Sequence, residues 1–351
     1  MKKAIQALNK TGLTIAILLI PVFMLADAAG IYENSVYAPH HEKVMNYAVW
    51  YPVSEQEITQ PFGGNAVFLP YQVAQNAPIK QGRYPLILVS HGLGGHYGAQ
   101  GWLASALARS GAIVVAVNHP NSTVLDFDMR AGLEHWTRTQ DLKLVLDAIL
   151  KDPDFSSLID STRISVVGFS YGGWTALSMA GVRGNLAGYV NHCSEQATQH
   201  CNDIQRVGID LNSLHEKHWD GYYGDARISQ VVAIDPGLTF GIESGDVATL
   251  SADVLLIQLG RGKDRLDATN IGVDGSGFSA LLPYSEMIEI APAYHFSMLP
   301  LCTPAGSLIL EEEGEDAVCD DPEYSNREDI HFQVQSAVID FLTLNEGQIK
   351  N

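Results

Sequence analysis

The stretch from residue 164 to residue 173 constrains this chain more than any other. It reads Ile-Ser-Val-Val-Gly-Phe-Ser-Tyr-Gly-Gly, a short apolar strand followed by Gly-x-Ser-x-Gly, and small residues typical of a helix follow from Trp174. Glycines two positions before and after Ser170 predict a turn so tight that a side chain at Gly168 or Gly172 would clash. Glycine-rich turns with an incidental serine share this pattern, so the rest of the chain must supply the context.

Apolar runs and helical segments alternate along the chain on both sides of this turn. Runs without polar alternation predict strands that are buried on both faces of a parallel sheet. The strands are predicted at 45–51, 84–90, 112–117, 164–167, 228–234, 254–259 and 287–290, and the helices at 100–110, 141–150, 174–180 and 327–344. We therefore predict an α/β fold with a mostly parallel central sheet and helices on both faces. Residues 29–43 show little periodicity and residues 54–83 are rich in turn formers, so both are predicted to be irregular.

The first 28 residues predict an export signal. Three lysines accompany an apolar run at 13–25, and Ala-Asp-Ala at 26–28 fits the small-residue cleavage rule. The run is shorter than the ~20 residues that a membrane span needs. We therefore predict a signal peptide at 1–28, a single domain at 29–351, and a secreted or periplasmic protein with no stable membrane span after cleavage.

Cysteine usage agrees with an exported chain. The four cysteines all lie in the second half, and an even count in such a chain predicts disulfides. Three pairings are open, and the nearest-neighbour pairing Cys193–Cys201 with Cys302–Cys319 closes short loops. A zinc site is the alternative, but no two cysteines have the C-x₂₋₄-C spacing of such sites.

Two further segments are identified by their polarity. Residues 182–226 are polar and irregular, which predicts an insertion after the Ser170 helix that can cap the sheet. The acidic run at 311–316 predicts a solvated loop rather than a metal site. The net charge of −19 disfavours nucleic acid and anionic membrane surfaces as partners.

A serine hydroxyl has a very high pKa and reacts only with a base in hydrogen-bond reach. Histidine is the usual base, because it titrates near neutral pH. Four histidines downstream of Ser170 lie in the insertion, and His331 lies in the last predicted helix. Only His295 follows a late strand on a short loop, which is where the base of a strand–Ser–helix turn belongs. We predict His295 as the base.

The base needs a carboxylate that fixes its tautomer, and in this chain order the acid lies between the serine and the histidine. Asp264 follows the strand at 254–259 and is our preferred acid. Asp235 ends the preceding strand and is the alternative, while Asp267 could substitute for Asp264. The aspartates that are not used would be turn or cap residues.

Attack on a carbonyl also needs two N–H groups that stabilise the developing oxyanion. One donor is expected at Tyr171, directly after the serine. The other is expected at Leu93, in the loop His91-Gly92-Leu93-Gly94-Gly95 that follows the strand at 84–90. A dinucleotide site is not indicated, because the loop lacks G-x-G-x-x-G. His91 is predicted to be a structural residue of the loop.

These motifs together resemble the bacterial platelet-activating-factor acetylhydrolase-like branch of the α/β-hydrolases, whose members are often described as predicted dienelactone hydrolases. The resemblance runs from about residue 47 to residue 344. The segments that carry it are Ser90-His91-Gly92-Leu93-Gly94-Gly95, Asn118-His119-Pro120, Gly168-Phe169-Ser170-Tyr171-Gly172-Gly173, His192-Cys193 to Cys201, and His295-Phe296-Ser297-Met298-Leu299 to Cys302.

The resemblance implies an α/β-hydrolase fold with Ser170 as nucleophile, His295 as base, and the N–H groups of Leu93 and Tyr171 as oxyanion donors. Bacterial members place the acid where Asp264 stands, whereas the acetylhydrolases place it where Asp235 stands. Dienelactone hydrolases use a cysteine nucleophile, so the serine at position 170 does not favour dienelactone cleavage.

The expected activity is cleavage of small acyl or lipid-type carboxylic esters through an acyl-enzyme on Ser170, with no metal or cofactor. The expected partner is therefore a small-molecule ester or lipid. An amidase, a thioesterase or a polyester hydrolase would use the same residues, because pocket shape selects the leaving group. A non-catalytic binding protein on a hydrolase scaffold is the alternative outside enzymes.

Overall fold

The structure is a computed structural model that describes residues 28–54, 57–196 and 198–344. The predicted signal peptide lies outside these residues except for Ala28. The strands are β1 (Gly30–Ala38), β2 (Lys43–Tyr51), β3 (Gln60–Phe62), β4 (Tyr71–Gln75), β5 (Tyr84–Ser90), β6 (Ile113–Val117), β7 (Ile159–Phe169), β8 (Ile228–Ile234), β9 (Asp253–Leu259) and β10 (Glu286–Ile290). Within the described residues these strands form one sheet in the order β10-β9-β8-β7-β5-β6-β2-β1-β4-β3.

The six strands from β10 to β6 in this order run parallel, and β2 joins β6 antiparallel. Strand β1 then pairs antiparallel with β2 and parallel with β4. The carboxyl ends of the parallel strands meet at one edge of the sheet, so loops that follow them lie close together. Ser170 follows β7, near the middle of this edge.

Helices cover both faces of the sheet. They are α1 (Gly101–Arg109), α2 (Met129–Gly132), α3 (His135–Ile149), α4 (Tyr171–Met179), α5 (Leu186–Glu195), α6 (Gln199–Arg206), α7 (Glu216–Trp219), α8 (Gly306–Glu313) and α9 (Arg327–Phe341). Apolar side chains of α3 and α4 belong to the core on one face, and those of α1 and α9 belong to the core on the other. The predicted α/β architecture is confirmed, and none of these helices is long and apolar enough to cross a membrane.

The segment after α4 is more ordered than the sequence indicated. It contains α5, α6 and α7, whose apolar residues form a small separate core with Trp136 of α3. The predicted disulfides are both present: Cys193–Cys201 joins α5 to α6, and Cys302–Cys319 closes the loop around α8. The acidic run expected in a loop lies partly on α8, where its side chains are exposed.

Four elements depart from the sequence prediction. The stretch predicted to be irregular at 29–43 contains β1, whose middle residues are polar and exposed because only one face of the strand is covered. Strands β3 and β4 are short and interrupt the predicted loop at 54–83. Helix α3 begins at His135 rather than near 141, because its first turns bury polar side chains and so lack an apolar stripe.

The loop between β3 and β4 pairs with the segment that follows His295. The Leu69 N–H donates to the Leu301 carbonyl (2.7 Å), and the Thr303 N–H donates to the Val67 carbonyl (2.8 Å). The β3–β4 loop therefore helps to fix the position of the segment that follows His295.

His135 is buried without a charge partner inside a ring of aromatic side chains. Its ring centroid lies 5.6 Å from that of Trp174 and 5.0 Å from that of Trp219. Burial lowers the pKa of His135 to about 3, although a hydrogen bond to the Trp219 carbonyl (3.0 Å) opposes the shift. An unfolded histidine titrates near ~6.5.

Between the two pKa values the unfolded chain binds a proton that the folded His135 does not. The free energy of unfolding therefore falls as pH falls through this window. We expect His135→Phe to reduce the slope of that free energy against pH, between about pH 6 and pH 4, by about 1.4 kcal/mol per pH unit. Urea denaturation at several pH values measures the slope, and a slope equal to that of the unchanged protein would contradict the assignment.

Candidate active site

Ser170 lies in the strained turn that the sequence predicted. Its φ is +57°, in the left-handed region, and its backbone N–H donates to the Ile234 carbonyl at 2.8 Å. A Cβ on Gly168 would lie 1.9 Å from the carbonyl oxygen of Gly172, and a Cβ on Gly172 would lie 1.9 Å from that of Ser90. Both glycines are thus required by contact, and the turn presents Ser170 at the carboxyl edge of the sheet.

His295 reaches Ser170 from the loop after β10. Its Nε2 lies 3.0 Å from Ser170 Oγ, and its ring lies against Phe169 with the centroids 4.6 Å apart. The side chain is buried, so little water competes for this hydrogen bond. The structure therefore brings together the two residues that the sequence predicted as nucleophile and base.

The backbone after His295 is fixed by a half-buried side chain from α1 and a buried one from α9. Trp102 Nε1–H donates to the Met298 carbonyl (3.1 Å), and His331 Nε2–H donates to the Ser297 carbonyl (2.9 Å). The rings of Trp102 and His331 stack with their centroids 3.6 Å apart. Burial lowers the pKa of His331 to about 4, so its ring is neutral at pH 7. These contacts orient the His295 loop on the second face of the sheet.

Asp235 is the carboxylate that contacts His295. It follows β8 and is completely buried, and its Oδ2 lies 2.6 Å from His295 Nδ1. Oδ2 also accepts the Thr269 hydroxyl (2.8 Å), and Oδ1 accepts the Leu259 N–H (3.0 Å). A carboxylate that accepts from Nδ1 places the ring proton there and leaves Nε2 free to accept the serine proton. Ser170, His295 and Asp235 thus form a continuous chain of hydrogen bonds.

The structure thus places Asp235, the predicted alternative, against His295, and it does not place the preferred Asp264 there. Asp264 lies in a 3-10 turn after β9, and its carboxylate makes no hydrogen bond or ion pair within the described residues. Asp267 does not contact His295 either. The loop that carries both aspartates instead supplies the Thr269 hydroxyl, which supports Asp235, and Gln258 Nε2 donates to the Thr269 carbonyl at 3.2 Å.

The two predicted oxyanion donors flank the serine. Gly92 approaches so closely that a Cβ there would lie 3.3 Å from the Cβ of Ser170. The next residue, Leu93, has a backbone N–H with no acceptor in the described part of the chain. Tyr171 is the first residue of α4, where backbone N–H groups have no partner inside the helix. Both N–H groups are therefore available near Ser170.

His91 makes the contacts of a structural residue. Its Nε2 accepts the His119 N–H (3.1 Å), so Nδ1 carries the proton and donates to the Gly92 carbonyl (2.7 Å). Burial and the nearby Arg138 charge hold the pKa of His91 well below its ordinary value. The neutral ring thus fixes the loop.

One buried cation contacts both the Leu93 loop and the start of α4. The Arg138 guanidinium is fully buried, and burial lowers its pKa to about 10, so it stays charged at neutral pH. Its N–H groups donate to the His91 carbonyl, to Ser90 Oγ (3.3 Å), to Ser122 Oγ (2.6 Å) and to Thr175 Oγ1 (3.1 Å). The guanidinium carbon also lies 4.8 Å from the centre of the Tyr171 ring. Arg138 therefore holds the Leu93 loop and the start of α4 together.

Arg138→Met should lower kcat by roughly 10- to 100-fold and change KM little. Without the guanidinium, the backbone N–H groups of Leu93 and Tyr171 are no longer held in position by a common contact. Loss of one oxyanion donor lowers kcat by about 10²–10³. The measurement is steady-state turnover of a soluble ester, together with binding of a boronic acid transition-state analogue. His135→Phe, a buried change on the same helix, is the control for general destabilisation. Equal losses in the two variants would contradict a positioning role for Arg138.

Sequence reasoning missed Arg138 and Thr269. A lone arginine in a polar helical stretch has no pattern that distinguishes it from a solvated residue. Thr269 lies in a loop, and its value depends on a contact with a residue 34 positions away. The Asn-His-Pro segment at 118–120 could have indicated this region, because His119 contacts Ser90, which also accepts a hydrogen bond from Arg138.

Fold and site together define an α/β-hydrolase. The family model described as platelet-activating factor acetylhydrolase, isoform II, matches residues 17–130. Cutinase est1 of Thermobifida alba is 29% identical over 201 residues, which cover 54% of this chain and 61% of that protein. Cutinase 2 of Thermobifida cellulosilytica is 28% identical over 127 residues, which cover 36% and 42%. These findings support an acetylhydrolase-like α/β-hydrolase, as the sequence motifs implied.

A solved structure supports the fold over nearly the whole chain. The ferulic acid esterase from Streptomyces cinnamoneus aligns over 90% of this chain and 88% of its own, with a TM-score of 0.57 and 15% identity. An identity this low establishes the fold alone. The chain spans between about two fifths and three fifths of the length of the two cutinases.

Proposed function

We propose that the protein is a serine hydrolase that cleaves carboxylic esters. The observation that carries the proposal is the unbroken chain of hydrogen bonds from Ser170 Oγ through His295 to Asp235. Its residues lie in the order serine, acid, histidine, which is the order of α/β-hydrolases. The similarity to cutinases and to an acetylhydrolase family also supports cleavage of a carboxylic ester bond.

In the first half of the reaction Ser170 Oγ attacks the ester carbonyl carbon and its proton passes to His295 Nε2. The carbonyl oxygen becomes an oxyanion that accepts from the N–H groups of Leu93 and Tyr171. Asp235 stabilises the imidazolium that forms. Collapse of the tetrahedral intermediate transfers the proton to the leaving alcohol, and the acyl group remains on Ser170.

In the second half a water molecule takes the place of the alcohol. His295 Nε2 accepts a proton from this water while its oxygen attacks the acyl carbon. The second tetrahedral intermediate uses the same oxyanion donors. Its collapse returns the proton to Ser170 Oγ and releases the carboxylic acid, so the steps balance without a cofactor or metal.

The surface beside the site favours substrates with apolar groups. Leu93 is 37% exposed, and the loop that pairs with the adjacent Gly94 exposes Val124, Leu125 and Phe127. The Gly94 N–H fastens the two loops together through the Ser122 carbonyl at 2.9 Å. Small acyl and lipid-type esters fit this surface. A polyester hydrolase is the second candidate, because an exposed apolar rim and the likeness to cutinases both suit an extended substrate.

We propose further that the protein is exported and that it forms a single domain. Two disulfides suit an exported enzyme, in agreement with the signal peptide predicted at 1–28. We take 29–351 as a single domain in which the helical segment at 182–226 caps the carboxyl edge of the sheet. With the acidic charge of the chain, this leaves small esters or lipids as partners rather than nucleic acid.

Covalent labelling tests the proposed nucleophile. A fluorophosphonate probe should label one residue per chain, on the peptide that contains Ser170, and should abolish turnover of p-nitrophenyl acetate in proportion. Heat-denatured protein is the control, since it lacks the histidine contact that activates the serine. Labelling elsewhere, or turnover that persists after full labelling, would contradict the assignment, whereas absence of both labelling and turnover would favour a binding protein.

A substrate panel tests the bond that is cleaved. Matched ester, thioester and amide substrates of one acyl group separate the three chemistries, and a series of ester chain lengths measures the acyl preference. A polyester film compared with a soluble ester of the same acid tests the second candidate. We expect the soluble esters to be cleaved fastest, and preference for the amide would overturn the proposal.

A further inference from the structure

The turn between β1 and β2 places two neighbouring histidines against a buried carboxylate of α3. His40 Nε2 lies 2.7 Å from Asp141 Oδ1, and His41 Nε2 lies 3.1 Å from the same oxygen. The Asp141 side chain is fully buried, whereas His41 and His40 are 4% and 19% exposed. Both imidazoles thus point the same ring nitrogen at one carboxylate oxygen.

We propose that His40, His41 and Asp141 form a binding site for a divalent transition-metal ion of the zinc type. The donor atoms, one from each residue, lie within 4.8 Å of one another. Two imidazole nitrogens with one carboxylate oxygen suit zinc and its neighbours rather than calcium or magnesium, which prefer oxygen ligands. The exposed side of His40 leaves a fourth position for water.

The spacing of the donor atoms fits an ion after a small adjustment. A tetrahedral ion with ligands at ~2.0–2.1 Å separates its donor atoms by about 3.3–3.4 Å. The two nitrogens lie 2.7 and 3.1 Å from Oδ1, and His41 Nε2 lies 3.3 Å from Oδ2. A shift of a few tenths of an ångström opens the space, with each imidazole proton moving to Nδ1 so that the Nε2 lone pair faces the ion.

The Asp141 carboxylate is oriented by a hydrogen bond to Oδ2, the oxygen on the other side from the one that His40 contacts. His119 Nδ1–H donates to its Oδ2 (2.8 Å), and the Ser90 hydroxyl donates to His119 Nε2 (2.9 Å). Such outer hydrogen bonds orient the ligands of metal sites.

The site lies outside the Ser170 machinery and would act on stability. An ion there ties the β1–β2 turn to α3, the helix that carries Arg138. An ion that binds the folded chain and not the unfolded one raises the thermal midpoint by an amount that grows with the logarithm of its free concentration above Kd. The proposal does not rest on the ester-hydrolase assignment, and its test does not need activity.

Calorimetric titration of the tag-free full chain with Zn²⁺, after treatment with EDTA and desalting, tests the site. We expect one ion per chain, and at least about 100-fold weaker binding in the double variant His40→Gln, His41→Gln. Co²⁺ should give the visible absorption of a four-coordinate ion in the unchanged chain only. The matched control is His215→Gln, His218→Gln, an exposed pair with ring centroids 5.7 Å apart, which should bind like the unchanged chain.

Circular dichroism establishes that each variant is folded before titration. Absence of stoichiometric binding in the unchanged chain would overturn the proposal and leave Asp141 as an anion held by three N–H donors. Equal binding by the His40/His41 variant, or loss of binding in the control variant, would overturn it as well.

Discussion

Replacement of Ser170 by alanine is expected to lower kcat for p-nitrophenyl esters by about 10⁶-fold. The hydroxyl is the attacking atom, and His295 loses the group that it activates at 3.0 Å. The oxyanion donors and the binding surface remain, so residual turnover of about 10³–10⁴ over the uncatalysed rate should persist. Initial rates at saturating ester, measured with active-site titration of the unchanged enzyme, give the ratio.

The matched control is Ser178→Ala, a buried serine on the same helix. Its activity should stay within about threefold of the unchanged enzyme, because the change is equally small and lies in α4 beyond the reacting atoms. A Ser170→Ala enzyme that keeps more than about one hundredth of the turnover would refute the acyl-enzyme mechanism.

Asp235→Asn should lower kcat by about 10⁴-fold, whereas Asp264→Asn should leave it nearly unchanged. An amide at position 235 can donate its N–H₂ to His295 Nδ1 and thereby place the ring proton on Nε2, where it blocks acceptance from Ser170. Among the described residues the Asp264 carboxylate makes no hydrogen bond or ion pair that such a change would disturb. Comparison of kcat for the two purified variants from pH 6 to pH 9 measures the difference.

Thermal midpoints of both variants control for loss of folding, because Asp235 is buried and hydrogen bonded on both oxygens. Comparable activity losses in the two variants, or a larger loss in Asp264→Asn, would return the acid role to the loop after β9.

The central strands and the Ser170 turn were predictable from local sequence. Continuous apolar runs indicate strands that are buried on both faces of the sheet, and the paired glycines indicate a turn too tight for side chains. The strand predicted at 228–234 has those bounds in the structure. The nearest-neighbour disulfides were predicted among three pairings and are confirmed. Strand β1 was missed, since a strand covered on one face and exposed in its middle shows little apolar character.

The acid could not be chosen from the sequence for a different reason. Asp235 and Asp264 both follow strands of the parallel sheet, so chain order and strand position fit either residue. The choice depends on where His295 Nδ1 points, which is fixed by contacts between α1, α9 and the His295 loop. Such contacts join residues far apart in the chain and have no local pattern.

The pairing of the β3–β4 loop with residues 301–303 has a consequence for biosynthesis. A chain that is still being made has its nucleophile and acid long before the segment of residues 295–303 emerges to lie on the waiting loop. The residues that steady this segment, including His331 on α9, come later still. An unfinished chain therefore holds a serine without an oriented base. The contact between His295 and Ser170 can therefore form only once the last sixth of the polypeptide has been made.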